Sequence, residues 1–100
     1  MEILNYIDGQ FAKASSGRTL NNVNPATGQV YGSIPDSGQA DVESAVKAAK
    51  AAFPSWSKLT AAERSEHMMA VANGINERLD ELAQAESTDN GKPLKLAQSV

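Results

Sequence analysis

One hundred residues with a formal net charge of −3 make one small domain or part of a larger one. With no cysteine, the segment excludes disulfides, thiolate metal sites and a cysteine nucleophile, and no basic stretch points to nucleic acid. No apolar run approaches a membrane span, and Met1-Glu2-Ile3-Leu4-Asn5 lacks the layout of a signal peptide, so the cytoplasm is the expected compartment.

The chain opens with β patterning. Asn5-Tyr6-Ile7 and Gln10-Phe11-Ala12 flank Asp8-Gly9, and this pair suits a two-residue hairpin turn whose central residues both need φ > 0. Ser15-Ser16-Gly17 reads as a loop. Thr19 to Val23 forms a further strand, ended by the breaker-rich Asn24-Pro25-Ala26-Thr27-Gly28. Gln29 to Ile34 is the next strand, stopped by Pro35-Asp36-Ser37-Gly38. Residues 1–38 are therefore β strands and turns.

From Gln39 the period changes to 3.6, and residues 39–90 read as helices. Val42, Ala45, Val46, Ala49 and Phe53 share one face, and Pro54 is expected to end this helix. Thr60-Ala61-Ala62-Glu63 is a capping box that starts the next. Met68, Val71, Ala72, Ile75 and Leu79 continue its apolar face across Gly74, with either a kink or a break near Arg78-Leu79-Asp80. Asp89-Asn90-Gly91-Lys92-Pro93 stops the helical run. Residues 94–100 look like the start of a helix cut short. The fold class is α/β, with β-hairpin strands followed by two or three helices.

The core is thin. Sixteen of the apolar residues are alanine, which leaves 25 larger apolar side chains for 100 ordered residues. Burying each of those contributes ~1.5–3 kcal/mol, against ~1–2 kcal/mol of backbone entropy per ordered residue. The helical faces are therefore expected to need a partner, and the isolated segment to be marginally folded.

Candidate chemistry is sparse. His67, the single histidine, has no evident nucleophile or co-ligand and reads as a helix-surface residue. Glu63, Glu66, Glu77, Asp80, Glu81 and Glu86 are interspersed with Arg64, Arg78 and Lys92, the pattern of solvated helix faces. No G-x-G-x-x-G or G-x-x-x-x-G-K-[ST] occurs. Trp56, in Phe53-Pro54-Ser55-Trp56, suits a plug over a helix junction. The residues alone define no catalytic or cofactor-binding site.

Order along the chain adds what composition does not. Asn5 to Phe11, Asn24-Pro25-Ala26-Thr27-Gly28-Gln29-Val30, Asp41-Val42 with Ala45 to Ala49, Ala52 to Trp56, Thr60 to Arg64, and Glu86 to Pro93 together resemble the opening of the aldehyde dehydrogenase superfamily. Within it, Val30-Tyr31 with Ile34 to Gly38, the Phe53 to Trp56 string, and Ala83 to Ser87 with Leu94 to Ala97, look most like 2-aminomuconic and 2-hydroxymuconic semialdehyde dehydrogenases. The resemblance implies the N-terminal portion of a cofactor-binding domain in an enzyme that oxidises an aldehyde to a carboxylate. In that family a cysteine thiolate attacks the aldehyde carbon, hydride passes to NAD or NADP, and a glutamate-activated water releases the acid. Those residues and the cofactor loop belong to later parts of such chains, so the catalytic and cofactor-binding sets within residues 1–100 are empty. The implied partner is a small aldehyde, with no nucleic acid and no membrane, in a homodimer or homotetramer. The resemblance also implies a structural monovalent cation held by the carbonyls of Asn22 and Val23 and by Asp89, whose oxygen atoms suit a hard ion. Asp89 otherwise serves only the turn into Asn90-Gly91. The alternative function is a free-standing interaction module that keeps this segment and lacks catalysis.

Overall fold

The computed structural model describes residues 1–99. Its elements run β1 (Asn5–Ile7), β2 (Gln10–Ala12), β3 (Thr19–Val23), β4 (Val30–Pro35), α1 (Gln39–Ser57), α2 (Ala61–Glu77), α3 (Leu79–Asn90) and α4 (Leu94–Ala97). The chain divides into two compact units. One holds Met1–Val23 and Val30–Lys58; the other holds Asn24–Gln29 and the described chain from Leu59 onward.

In the first unit, β1 and β2 pair antiparallel with Tyr6 opposite Phe11. Asp8 and Gly9 turn the hairpin at φ 53° and 76°, the left-handed pair that the Asp-Gly sequence supplies. The Tyr6 and Phe11 rings meet edge to face with centroids 5.1 Å apart, a favoured cross-strand aromatic geometry. β3 and β4 form a second antiparallel pair, with an irregularity between Asn22 and Val23. The N-terminal residues lie parallel to β4: Ser33 N–H donates to the Met1 carbonyl at 3.0 Å, and Ile3 N–H to the Ser33 carbonyl at 2.9 Å. This approach requires Gly32, since a Cβ there would stand 2.2 Å from the Met1 carbonyl oxygen.

α1 corrects one expectation. Pro54 does not end the helix, which continues to Ser57. Proline removes one N–H, the donor to the carbonyl four residues earlier. Here that residue is the exposed Lys50, and only one further turn follows. Within that turn the Ser55 and Ser57 hydroxyls donate to the Ala52 and Pro54 carbonyls at 3.0 and 3.2 Å, so side chains satisfy part of the terminus.

In the second unit, α2 starts as its sequence dictates. Glu63 N–H donates to Thr60 Oγ1 at 3.2 Å, and Thr60 N–H donates to Glu63 Oε2 at 2.7 Å. The helix crosses Gly74 without interruption and breaks at Arg78 (φ −115°, ψ 22°), which separates it from α3. α3 ends with Gly91 in the left-handed conformation at φ 78°. α4 is a single turn closed at Gln98.

Large side chains find little cover. Among the described residues the buried apolar ones are Ala14 in the first unit and Ala83 in the second, and no large side chain is fully buried. Along α1, Val42 and Phe53 are 59% and 65% exposed; every residue of α2 except Gly74 is exposed. The accessible surface is 7670 Å², whereas a folded monomer of 10.6 kDa with a filled core exposes about 5,500 Å².

Candidate functional site

The most organised polar cluster gathers around Asp41 at the start of α1. Gly38, the cap residue, has no side chain, so the Asp41 carboxylate takes over its N–H: Gly38 N–H donates to Oδ2 at 2.9 Å. The same carboxylate accepts Ser15 N–H on Oδ1 at 2.9 Å and the Ser15 hydroxyl on Oδ2 at 3.2 Å. These donors, first the Gly38 amide and then the Ser15 amide, hold the Asp41 carboxyl below the usual aspartate range, with burial opposing them. Asp41 is the one buried charged residue described. Its hydrogen bonds anchor the Ser15 loop to the helix start. It is an anchor, not a reactive carboxylate, because its lowered basicity and its engaged oxygens suit neither proton abstraction nor nucleophilic attack.

A shallow groove of about 220 Å³ lies beside this anchor, between β1 and the first turn of α1, and includes Tyr6, Ile7 and Val42. Its polar groups are already engaged with one another: Asn5 Nδ2 donates to Ser37 Oγ at 2.8 Å, and Asp41 is committed as described. A ligand site needs polar groups converging on the ligand, and these converge on protein.

The cation residues named from sequence fall at two element ends. Asn22 is half-buried in β3, pairs with Gly32, and donates from Nδ2 to Tyr31 Oη at 2.9 Å. Val23 is the last residue of β3, beyond the irregularity. Both belong to the first unit. Asp89 lies in the last turn of α3, in the second unit. Among the described residues no group of three or more His, Cys, Asp or Glu side chains could hold a metal.

Glu63, Arg78 and Glu81 are exposed. Glu63 is held below the usual glutamate range by the Thr60 amide, then by the Thr60 hydroxyl, with a smaller attraction from His67 one turn on. Arg78 and Glu81 form a two-pronged pair that lowers the acid and raises the base. Lys92–Glu86 and Arg18–Asp36 are further solvated pairs at 3.2 and 3.3 Å. Trp56 sits inside the last turn of α1, not after its end. Sequence reasoning missed the Asp41 anchor. The available signal was an acidic residue at the third helical position behind a glycine cap, and it gave no hint of Ser15.

The aldehyde dehydrogenase family model matches residues 11–99, and the chain belongs to that family. It is similar to the 2-hydroxymuconic semialdehyde dehydrogenase of Pseudomonas sp. (strain CF600), 45% identical over 99% of this chain and 21% of that protein. It is also similar to the 2-aminomuconic semialdehyde dehydrogenase of Homo sapiens, 47% identical over 96% of this chain and 19% of that one. Among solved structures, PnpE in complex with nicotinamide adenine dinucleotide superposes with a TM-score of 0.94 at 42% identity, covering 100% of this chain and 20% of that one. An NAD-dependent aldehyde dehydrogenase from Sinorhizobium meliloti gives 0.91 at 39%, covering 98% and 20%. The chain thus spans about a fifth of the length of the relatives it matches. No helix among the described residues is long and apolar enough to cross a membrane.

Proposed function

We propose that the protein carrying this segment oxidises a small aldehyde to a carboxylate with NAD or NADP, and that its substrate is a muconic semialdehyde. The observation that carries this reading is near-complete coverage of the chain by semialdehyde dehydrogenases at 45–47% identity. A nicotinamide cofactor would supply the hydride acceptor. The residues present contribute scaffold. Asp41 fixes the start of α1, Thr60 and Glu63 fix the start of α2, and the open apolar faces of both helices await cover. Cytoplasmic location, assembly as a homodimer or homotetramer, and a structural monovalent cation at the Asn22 and Val23 carbonyls and Asp89 belong to the same proposal. The cation rests on the motif match alone.

The test is aldehyde-dependent NADH or NADPH formation by the full-length protein with 2-hydroxymuconic and 2-aminomuconic semialdehydes and simple aliphatic aldehydes. Turnover is expected with a semialdehyde, and none with residues 1–100 alone, which contain no thiol. Failure of the full-length protein with every aldehyde would overturn the reading. A preference for simple aldehydes would overturn the substrate assignment only.

A further inference from the structure

The sequence contains two Asn-Gly pairs, Asn73-Gly74 and Asn90-Gly91. In such a pair the following amide nitrogen can attack the asparagine side-chain carbonyl carbon, because glycine places no side chain in the way. The two pairs share this chemistry and differ in backbone setting. Asn73 and Gly74 lie inside α2, where the Gly74 N–H belongs to the helix ladder and the backbone is held helical. Asn90 is the exposed last residue of α3, and Gly91 has already left the helix at φ 78°. The Asn90 side chain curls over the next peptide, with Oδ1 accepting Lys92 N–H at 2.8 Å. That bond closes a turn whose ring contains both Asn90 Cγ and the Gly91 nitrogen. It also places an N–H donor on the oxygen that becomes anionic when the carbon is attacked. Restraint comes from the Gly91 N–H bond to the Ser87 carbonyl at 3.0 Å, the terminal bond of α3 and the kind that opens first as a helix end frays.

We propose that Asn90 is a deamidation site poised by its own helix cap, with Asn73 as its protected counterpart. The Gly91 amide gives its proton to hydroxide, and its nitrogen bonds to Asn90 Cγ. The Cγ–Nδ2 bond breaks as water returns a proton to Nδ2, and ammonia leaves with hydroxide regenerated. One water then opens the cyclic imide. Cleavage at Cγ gives aspartate, and cleavage at the backbone carbonyl carbon gives isoaspartate. Nothing is oxidised or reduced. Either product adds negative charge beside Asp89 at the negative end of α3, where the helix dipole disfavours it. Isoaspartate also lengthens the main chain at a tight turn, where even a Cβ on Gly91 would stand 3.3 Å from Pro25 Cγ. The cap therefore loosens once the reaction has run.

The full-length protein, incubated at neutral and mildly alkaline pH, is digested and its peptides mapped by mass spectrometry with isoaspartate detection. The Asn90 peptide is expected to show the amide-to-acid mass change and isoaspartate several-fold faster than the Asn73 peptide. In protein unfolded by urea, that difference is expected to collapse. Asn90→Gln, an exposed substitution, removes the faster signal and leaves the Asn73 rate unchanged. Equal rates at the two pairs in the folded protein would overturn the proposal. So would an intact Asn90 in folded protein, whether or not unfolding then released it.

Discussion

The starts of α1 and α2 use one device over very different reach. Each has a carboxylate at the third helical position that accepts the cap residue's N–H, at 2.9 Å from Gly38 to Asp41 and at 2.7 Å from Thr60 to Glu63. At α2 the exchange is closed within four residues, because Thr60 returns a hydroxyl to the Glu63 amide. At α1 the glycine cap has no side chain to return, only its carbonyl, and the spare capacity of the carboxylate goes to Ser15, 26 residues away. A cap with its own side chain makes a self-contained helix start. A cap without one leaves the acid free to make a tertiary tie.

Neither device substitutes for a core, and that sets the largest expected effect. Residues 1–100 alone are expected to be helical by circular dichroism, with poorly dispersed methyl resonances and exposed apolar surface. The open faces through Val42, Phe53, Met68 and Val71 are the reason. A sharp, cooperative thermal transition of a monomeric sample would refute this. Next comes Gly32→Ala in the full-length protein. The added methyl meets a backbone oxygen, so the N-terminal residues must move, at roughly 1–3 kcal/mol. Denaturant unfolding measures it, and a change indistinguishable from zero would mean that this parallel contact is not stabilising.

Asp41→Asn is expected to fall between Gly32→Ala and the α2 cap, because an amide cannot accept on both of its ends and would face one donor with another. The pH dependence follows from the sign of the shift. Asp41 is more acidic folded than unfolded, so its stabilisation is present above the ordinary aspartate pKa, roughly 4, and fades as pH falls through the lower folded value. Comparing acid unfolding of the wild type and Asp41→Asn should show the wild type losing its advantage in that window. Parallel curves would remove the anchor from the account. Thr60→Ala should be smallest, about 1 kcal/mol, and confined to α2 amides in hydrogen exchange. If it spread to the α1 start, the distinction between local and tertiary caps would fail.

What the sequence disclosed follows the same division. Asp8-Gly9 and Thr60-x-x-Glu63 were legible because turn and cap are each decided by neighbouring residues. Pro54 was misread because the rule that proline ends a helix is strongest in the interior, and Pro54 lies one turn from the end. The Asp41–Ser15 tie was invisible because no local pattern specifies a partner 26 residues away. Of the candidate site, Asn22, Val23 and Asp89 could be named only by resemblance. The Asn22 and Val23 carbonyls leave no trace in side-chain chemistry, and a single aspartate before Asn90-Gly91 reads equally as a turn residue.

The Asp41 clasp also has a kinetic side. It closes a loop spanning 26 residues with charge and amide donors, without help from a large buried side chain. Closing a loop restricts the chain before any contact repays it, and long-range contacts slow folding for that reason. The rate at which β1 to β4 and α1 assemble should therefore track the ionisation of a single carboxyl group. A refolding limb that slows with acid, and stays flat in Asp41→Asn, would mark the clasp as formed before the barrier is crossed.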